Sequence, residues 1–272
     1  MTHSNHPRTL QARLAARFAT LRWRLASLPE RLKATRHGPL VNRRAAATRF
    51  PISALRYWWT RCALLEETEH RGAGVVIADL GCNNGQMRRF VGDVPEATWI
   101  GLDQHIDAAP LRAHGYDDLH ECDFDRPLPL ADDSVDIVVF LHVLEHLPRP
   151  AFTLVELSRI LRPGGLLVAG SPVAPAPVAR LRQWHHRSRL ARGLVKPGGH
   201  INALDCRRWR TLLADSGMTV EMMTGTFLAR WSGNPLENHA WWVRLNQAWG
   251  ALFPSLGGEV YLSARFAPLR LD

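Results

Sequence analysis

Residues 75–86 read Val75-Val-Ile-Ala-Asp-Leu-Gly-Cys-Asn-Asn-Gly-Gln86. The apolar, β-branched start of this stretch predicts a strand buried on both faces, and the glycines at 81 and 85 predict a tight turn after it. Glycine suits such a turn because its backbone can adopt a positive φ and a ligand can approach it closely. A following helix would turn its first N–H groups toward that ligand. The stretch therefore predicts a strand-loop-helix nucleotide site.

The spacing of the glycines separates the possible nucleotide ligands. A dinucleotide fingerprint needs glycines at 81, 83 and 86, but this chain has Asn83 and Gln86. Asp79-x-Gly81-x-x-x-Gly85 instead resembles the first motif of the class I S-adenosylmethionine (SAM) methyltransferases, whose usual form is acidic-x-Gly-x-Gly-x-Gly. Asn83 takes the place of the middle glycine, and asparagine tolerates a left-handed φ better than most residues.

Acidic residues recur where later strands are expected to end. The stretch 98–103 predicts a strand that ends at Asp103, whose carboxylate can accept two hydrogen bonds from a ribose diol. A third strand over 117–124 ends at Asp123 and Phe124, and a fourth over 137–141 is followed by His142. Alternating strands and helices predict a parallel sheet with its ligands at the carboxyl ends of the strands.

The resemblance extends over roughly residues 72–227 and 258–267 and includes the turn Leu161-Arg-Pro-Gly-Gly165. It points to the small-molecule, type 11-like branch of the family. It implies a Rossmann-like α/β fold with a seven-stranded sheet, mostly parallel with an antiparallel last strand, and helices on both faces. It also implies SAM as cofactor, with Asp79 near the methionine end, Asp123 at the adenine amino group and Phe124 packed on the ring. The cofactor residues expected on this basis are Asp79, Gly81, Cys82, Asn83, Gly85, Asp103, Asp123, Phe124 and Leu141.

The segment His142-Val-Leu-Glu145-His146 holds the candidate catalytic residues. On a helix, His142 and His146 would share one face with Glu145 beside them. A general base, with His146 favoured over His142, and a structural role both remain open. A cation site is a third alternative, since the spacing is similar to the Glu-x-x-Glu-His metal site of relatives that methylate ubiquinone precursors, but no metal is predicted. His200 could join either active arrangement.

The net charge of +9 is concentrated at the N-terminus. Residues 1–50 carry 11 of the 34 Lys/Arg and one of the 25 acids, so they hold +10 and the rest holds −1. We predict a basic amphipathic arm over 1–50, with a helix over 8–33 that is interrupted near Pro29 and ends by Gly38. Three roles remain open for the arm. It packs its leucines on the body, it lies on an anionic membrane surface, or it serves in RNA binding or organelle import. Its apolar stripe comprises Leu10, Leu14, Phe18, Leu21, Leu25, Leu28 and Leu32.

The rest of the chain predicts a cytoplasmic enzyme, with peripheral attachment at the inner membrane face as the alternative. Four single cysteines suggest neither disulfides nor zinc, and no apolar stretch reaches the roughly 18 residues of a membrane span. The methyltransferase domain is predicted over 51–272, with inserts near 172–204 and 228–257 that are expected to set specificity. In the second insert, Trp241, Leu245, Trp249 and Leu252 form a helical stripe that is expected to be core, with an interfacial role as the alternative.

The expected function is methyl transfer to an oxygen of a small molecule, lipid or glycan. One alternative is an RNA or protein methyltransferase that uses the basic arm and the segment Arg180 to Arg192. Nucleic acid is disfavoured because the Asn/Asp-Pro-Pro-aromatic motif of base-modifying enzymes is replaced by Phe-Leu-His-Val. The other alternative is a non-catalytic scaffold at a membrane surface.

Overall fold

The computed structural model describes residues 18–35, 48–194, 199–226 and 233–267. Its centre is a seven-stranded sheet of order β3-β2-β1-β4-β5-β7-β6, in which β7 runs antiparallel to both neighbours and the other pairs are parallel. The strands are β1 Val76–Leu80, β2 Thr98–Asp103, β3 Asp118–Glu121, β4 Val135–Leu141, β5 Leu161–Pro172, β6 Met218–Gly225 and β7 Glu259–Phe266. The predicted sheet is confirmed.

Helices cover both faces of this sheet, as the sequence predicts. The helices are α1 Ala19–Arg22, α2 Ser27–Ala34, α3 Leu55–Arg71, α4 Gln86–Val91, α5 Ala108–Ala113, α6 Pro150–Ile160, α7 Ala176–Ala191, α8 Cys206–Asp215 and α9 Ala240–Leu252. One apolar cluster joins the sheet to α6 and α8 through residues such as Leu157 and Trp209. A second joins it to α3, α4 and α5 through residues such as Leu64 and Leu111. In the central strand β4, six of seven residues are buried, which explains its continuous apolar sequence.

The chain order reverses between β1 and β4, which lie side by side at the centre of the sheet. To one side the chain continues through β2 and β3, and to the other through β5. At such a reversal the loops after the two strands diverge and leave a crevice at the carboxyl edge. The glycine loop after β1 and the segment after β4 therefore face a common space.

The described part of the N-terminal arm is packed on the body. Leu25 and Leu28 are 6% and 0% exposed and belong to a cluster with Phe50 and Trp58. Leu10, Leu14 and Gly38 lie outside the described residues. The predicted interruption near Pro29 is wrong: the break falls at residues 23–26, and Pro29 sits in the first turn of α2, where no N–H is needed.

The prediction that the helical stripe of the second insert is core is also wrong. Trp241, Leu245 and Leu252 are 56%, 45% and 49% exposed, while the adjacent stripe that includes Trp242 and Val243 is buried. The reason is a backbone contact, because a Cβ added to Gly250 would lie 1.8 Å from the carbonyl oxygen of Gly225. This contact fixes the rotation of α9 about its axis. Within the described ranges, no helix has the length and apolarity to cross a membrane.

Candidate functional site

The loop after β1 is held in a shape that needs its glycines. Gly81, Asn83 and Gly85 have φ values of 80°, 46° and 72°, so the expected left-handed conformation of Asn83 is confirmed. The N–H of Gly81 donates to the carbonyl of Leu102 at 2.8 Å, which ties the loop to β2. A Cβ at Gly81 would lie 2.4 Å from Cγ2 of Val143, so a side chain there would collide with the segment after β4.

The carboxylate of Asp103 closes the loop from the other side. Its Oδ2 accepts the N–H of Asn83 at 2.8 Å and its Oδ1 accepts the N–H of Gln104 at 2.7 Å. Oδ1 also accepts the N–H of His105 at 3.5 Å, so Oδ2 retains the lone pair that could accept a ligand hydroxyl. Asp103 thus orders the loop in addition to its expected role at a ribose.

Asp79 at the end of β1 is 3% exposed and lies between the central strands. Burial raises its pKa to about 7, against the opposing effect of the short hydrogen bond that the hydroxyl of Tyr116 donates to Oδ2. A cationic partner would stabilise the ionised form of such a buried carboxylate. Tyr116 reaches it from the turn before β3, 37 residues along the chain, and no local pattern in the sequence indicates this contact.

Asp79 and part of the loop open onto a cleft of about 290 Å³, whereas the expected cofactor residues Gly85 and Asp103 are not among the residues that line it. Six of the expected cofactor and catalytic residues line it, namely Asp79, Gly81, Cys82, Asn83, Leu141 and His142. Residues of the loop and of α4 that the sequence prediction does not include also line it, namely Asn84, Gln86 and Met87. α3 contributes Arg56 and Tyr57. Trp58 and Trp59 of the same helix are 1% and 2% exposed and belong to the core, whereas Tyr57 lines the cleft.

The adenine end differs from the expectation. Phe124 is 4% exposed and packs in the cluster under α6, so its side chain is not available to cover an adenine ring. Asp123 is exposed and its Oδ1 accepts the N–H of Asp125 at 2.9 Å. The sequence predicts Phe124 at the adenine ring because it follows an acid, but its side chain packs in the core beneath α6.

The cleft suits a ligand that carries an amino acid and a ribose. Asp79 can hold an ammonium group, and Asp103 can accept ribose hydroxyls. The Nε atom of Arg56 is buried and has no hydrogen-bond partner among the described residues, so a ligand carboxylate could satisfy it. SAM carries an ammonium group, a carboxylate and a ribose, so the residues present fit SAM.

The segment after β4 is not the expected helix. His142 has φ 58° and donates its N–H to the carbonyl of Gly170, and only Leu144–His146 forms a 3-10 turn. The predicted i, i+4 arrangement of His142 and His146 is therefore wrong. Both imidazoles nevertheless approach Glu145, whose Oε1 lies 3.4 Å from Nδ1 of His142 and 3.9 Å from Nε2 of His146.

Two buried carboxylates flank His142. Besides Glu145, which is 1% exposed, Oε2 of Glu259 lies 3.7 Å from its Nε2. Burial would lower the pKa of His142, but hydrogen bonds to Glu145 and Glu259 more than offset it, so the pKa is raised. The two carboxylates thus favour the protonated form of His142. Glu259, at the start of β7, is a site residue that the sequence prediction does not include.

His200 joins this group through a tightly held loop. The N–H groups of Ile201 and Asn202 both donate to the carbonyl of Glu145, at 2.9 and 3.0 Å. The rings of His146 and His200 meet edge to face with centroids 4.8 Å apart. Burial lowers the pKa of His200, which favours the neutral imidazole. Glu145, His146 and His200 each place a ligand atom within 4.8 Å of the others, a spacing that could hold a cation.

Comparisons with known proteins agree with this geometry. Residues 78–169 match the family described as "Methyltransferase domain". The chain is 31% identical over 176 residues to a probable SAM-dependent methyltransferase of Mycolicibacterium smegmatis, which covers 63% of each chain. It is 28% identical over 158 residues to the 27-O-demethylrifamycin SV methyltransferase of Amycolatopsis mediterranei, covering 51% of this chain and 58% of that protein. The chain thus spans about three-fifths of these curated relatives.

A solved structure extends the agreement to the whole sheet. The SAM-dependent methyltransferase of Mesorhizobium loti superposes with a TM-score of 0.53 at 23% identity, covering 79% of this chain and 99% of that one. The glycine loop and the acids at the strand ends lie inside the region that matches the family. Residues 78–169 therefore match a methyltransferase domain, and the chain is similar to SAM-dependent methyltransferases over about three-fifths of its length.

Proposed function

We propose that this chain transfers a methyl group to an oxygen of a small molecule, lipid or glycan. The observation that carries the proposal is the group His142, Glu145, His146 and His200, which lies beside the cleft and is tied to it through His142. When bound, SAM supplies an electrophilic methyl group on a sulfonium. A hydroxyl that attacks it must lose a proton, and an imidazole is suited to accept that proton at neutral pH.

Within this group we assign the general base to His146. His142 lies between Glu145 and Glu259, which raise its pKa and favour its protonated form, so it is the weaker candidate for a base. His146 is a third exposed and therefore accessible to an acceptor, and the buried carboxylate of Glu145 lies close enough to stabilise its protonated form. The neutral His200 stands against the His146 ring and limits the positions that ring can take.

The proposal for an oxygen acceptor has support from one relative. The Amycolatopsis relative is named as a methyltransferase of 27-O-demethylrifamycin SV. Because the alignment covers only 58% of that protein, we carry over the oxygen chemistry and not the acceptor. Lipid and glycan hydroxyls satisfy the same chemistry.

The experiment has a binding arm and a turnover arm. S-adenosylhomocysteine binding is measured by calorimetry, and turnover is measured with a panel of hydroxylated acceptors. We expect Asp103→Ala to weaken cofactor binding, and His146→Ala to lower kcat by about 10²–10⁴-fold with the cofactor affinity unchanged. His70→Ala, at an exposed histidine near the far end of α3, is the matched control. Full kcat in His146→Ala would contradict the assignment, and unchanged binding in Asp103→Ala would contradict the cofactor site.

The cation arrangement is the main alternative form of this chemistry. Glu145, His146 and His200 offer one carboxylate and two imidazoles, a ligand set that suits zinc or a similar ion. With His146 as base, turnover should survive EDTA treatment and dialysis without loss. Turnover that disappears with EDTA and returns with a divalent ion would favour the cation arrangement instead.

RNA or protein methylation is the second candidate, and it depends on the many arginines outside the cleft. Such an enzyme would lose affinity for a nucleic-acid substrate steeply as the salt concentration rises. Turnover on a neutral acceptor that does not depend on salt would exclude it. A scaffold that binds S-adenosylhomocysteine but methylates none of these substrates would support the non-catalytic alternative.

A further inference from the structure

α7 exposes a row of apolar side chains. Val178, Leu181 and Trp184 are 41%, 65% and 67% exposed. They are three residues apart, so on a helix they fall on one side. Past the end of this row, Leu190 and Leu194 are also more than half exposed. Trp184 is among the most exposed large apolar residues of the described chain.

The opposite side of α7 is fixed to the body. Ala179 is 2% exposed, and Gln183 joins the loop after the helix through two hydrogen bonds. Its Nε2 donates to the carbonyl of Ile201 at 3.2 Å, and its Oε1 accepts the N–H of Ala203 at 2.7 Å. Ala179 and Gln183 are four residues apart and lie about half a turn from the apolar row. The helix therefore cannot rotate to bury that row.

Arginines border the row on both sides. On a helix of 3.6 residues per turn, Arg180 and Arg187 fall along one border, and Arg182 and Arg189 along the other. Residues 176–194 contain no aspartate or glutamate. An apolar stripe between two rows of cations is the arrangement that suits a helix lying in the headgroup layer of an anionic bilayer, with tryptophan at the level of the headgroups.

We propose that α7 docks this protein on an anionic lipid surface. The aliphatic residues of the row favour lipid over RNA, because Val178 and Leu181 cannot stack on bases. The outer side of α7 also consists of the apolar row as well as the arginines. The arm predicted from the sequence is less suited to this role over its described part, because Leu25 and Leu28 are buried against the body.

The position of α7 gives the docking a consequence for the site. The helix follows the carboxyl end of β5, and Gln183 holds the same loop that places His200 beside His146. α7 therefore connects the proposed docking surface on its outer side to the loop that carries His200 on its inner side.

The test is flotation of the full chain with vesicles of phosphatidylcholine alone or with about a third phosphatidylglycerol. We expect binding to the anionic vesicles only, and a loss of at least tenfold in Leu181→Ser/Trp184→Ser. Arg182→Gln/Arg187→Gln should lose roughly fivefold for each arginine and become less sensitive to salt. Val155→Ser replaces an apolar residue of α6 that is 51% exposed and should bind like the wild type. Melting temperatures of all variants verify that they fold.

Several results would overturn the proposal. One is a wild type that does not float with anionic vesicles, and another is wild-type binding by Leu181→Ser/Trp184→Ser. Loss of flotation only in Leu10→Ser/Leu14→Ser would assign the attachment to the arm. Binding of a single-stranded oligonucleotide that is tighter than vesicle binding and insensitive to Leu181→Ser/Trp184→Ser would assign the arginines to RNA. Flotation needs no turnover, so its failure would leave the proposed methyl transfer standing.

Discussion

At the scale of single residues, we propose that Asp79 links proton binding to cofactor binding. Its pKa is raised to about 7 by burial, so in the free protein at pH 6 most of the carboxyl is protonated. Only the ionised carboxylate can pair with the ammonium of the cofactor. We therefore expect the affinity for S-adenosylhomocysteine to fall by up to about tenfold for each pH unit below 7 and to level off above 8. Calorimetry between pH 5.5 and 8.5 measures this.

Two variants separate Asp79 from other titrating groups. Asp79→Asn should bind weakly and lose the pH dependence between 6 and 8. Tyr116→Phe removes a hydrogen bond that lowers the pKa of Asp79, so the midpoint should move to higher pH. A Tyr116→Phe midpoint that stays in place or moves to lower pH would contradict this account.

Asn83 provides a second prediction at this scale. Its φ of 46° costs an ordinary side chain roughly 1 kcal/mol, and glycine nothing. Asn83→Gly should therefore keep its stability and cofactor affinity, whereas Asn83→Val should lose at least about 1 kcal/mol in urea unfolding. If both variants unfold like the wild type, backbone conformation does not explain why the family's glycine can be replaced here.

The site residues that the sequence places at the carboxyl ends of strands share a local origin. Asp79, Gly81, Asn83 and Asp103 follow strands whose apolar sequences are visible, so their place at the carboxyl edge follows from the strand itself. Arg56, Tyr116 and Glu259 reach the same site from helices, turns or strands far along the chain, and no spacing indicates that they meet it. Phe124 shows the converse, because its motif position is right and its ring is used by the core.

At the scale of whole elements, the errors arise where tertiary contacts override periodicity. The segment 142–146 has helical spacing, but the left-handed φ of His142 turns the chain before a helix can form. α9 is a helix as predicted, and its buried side is displaced because Gly250 must face Gly225. β1, β2 and β4, by contrast, are confirmed, and each is a mostly apolar run of five to seven residues.

The arm provides a prediction at the element scale. Leu28 in α2 is fully buried against the cluster with Trp58, and Arg31 donates to the carbonyls of Arg89 and Phe90 at the C-terminal end of α4. Leu28→Ala should therefore cost about 2–5 kcal/mol in the free energy of unfolding. Glu30→Ala, at an exposed position of the same helix, is the control and should cost little. Equal stability of both variants would mean that this part of the arm is not packed as described.

At the scale of the whole molecule, the two edges of the sheet have different roles. The carboxyl edge carries the loop, the acids and the histidines. The opposite edge carries a network of ion pairs around Glu67, which accepts from Arg71 at 2.6 Å and from Arg265 at 2.7 and 3.0 Å. Arg71 continues to Asp136 at the start of β4. The network joins α3, β4 and β7 far from the cleft.

This separation predicts that the stability of the fold can be changed without changing the site. Burial raises the pKa of Glu67, but Arg265 and Arg71 more than offset this effect, so the pKa is lowered. The ion pairs therefore stabilise the fold at neutral pH, and this stabilisation is lost as the pH falls and Glu67 becomes protonated. Glu67→Gln leaves both arginines with weaker partners, and we expect a loss of roughly 2–4 kcal/mol at pH 7 that narrows toward pH 4, with unchanged affinity for S-adenosylhomocysteine. Asp132→Asn removes an exposed pair with Arg159 and should cost less than about 1 kcal/mol. Urea unfolding at both pH values measures the stability, and calorimetry measures the affinity for S-adenosylhomocysteine. A parallel loss of that affinity in Glu67→Gln would show that the two edges of the sheet are coupled through α3.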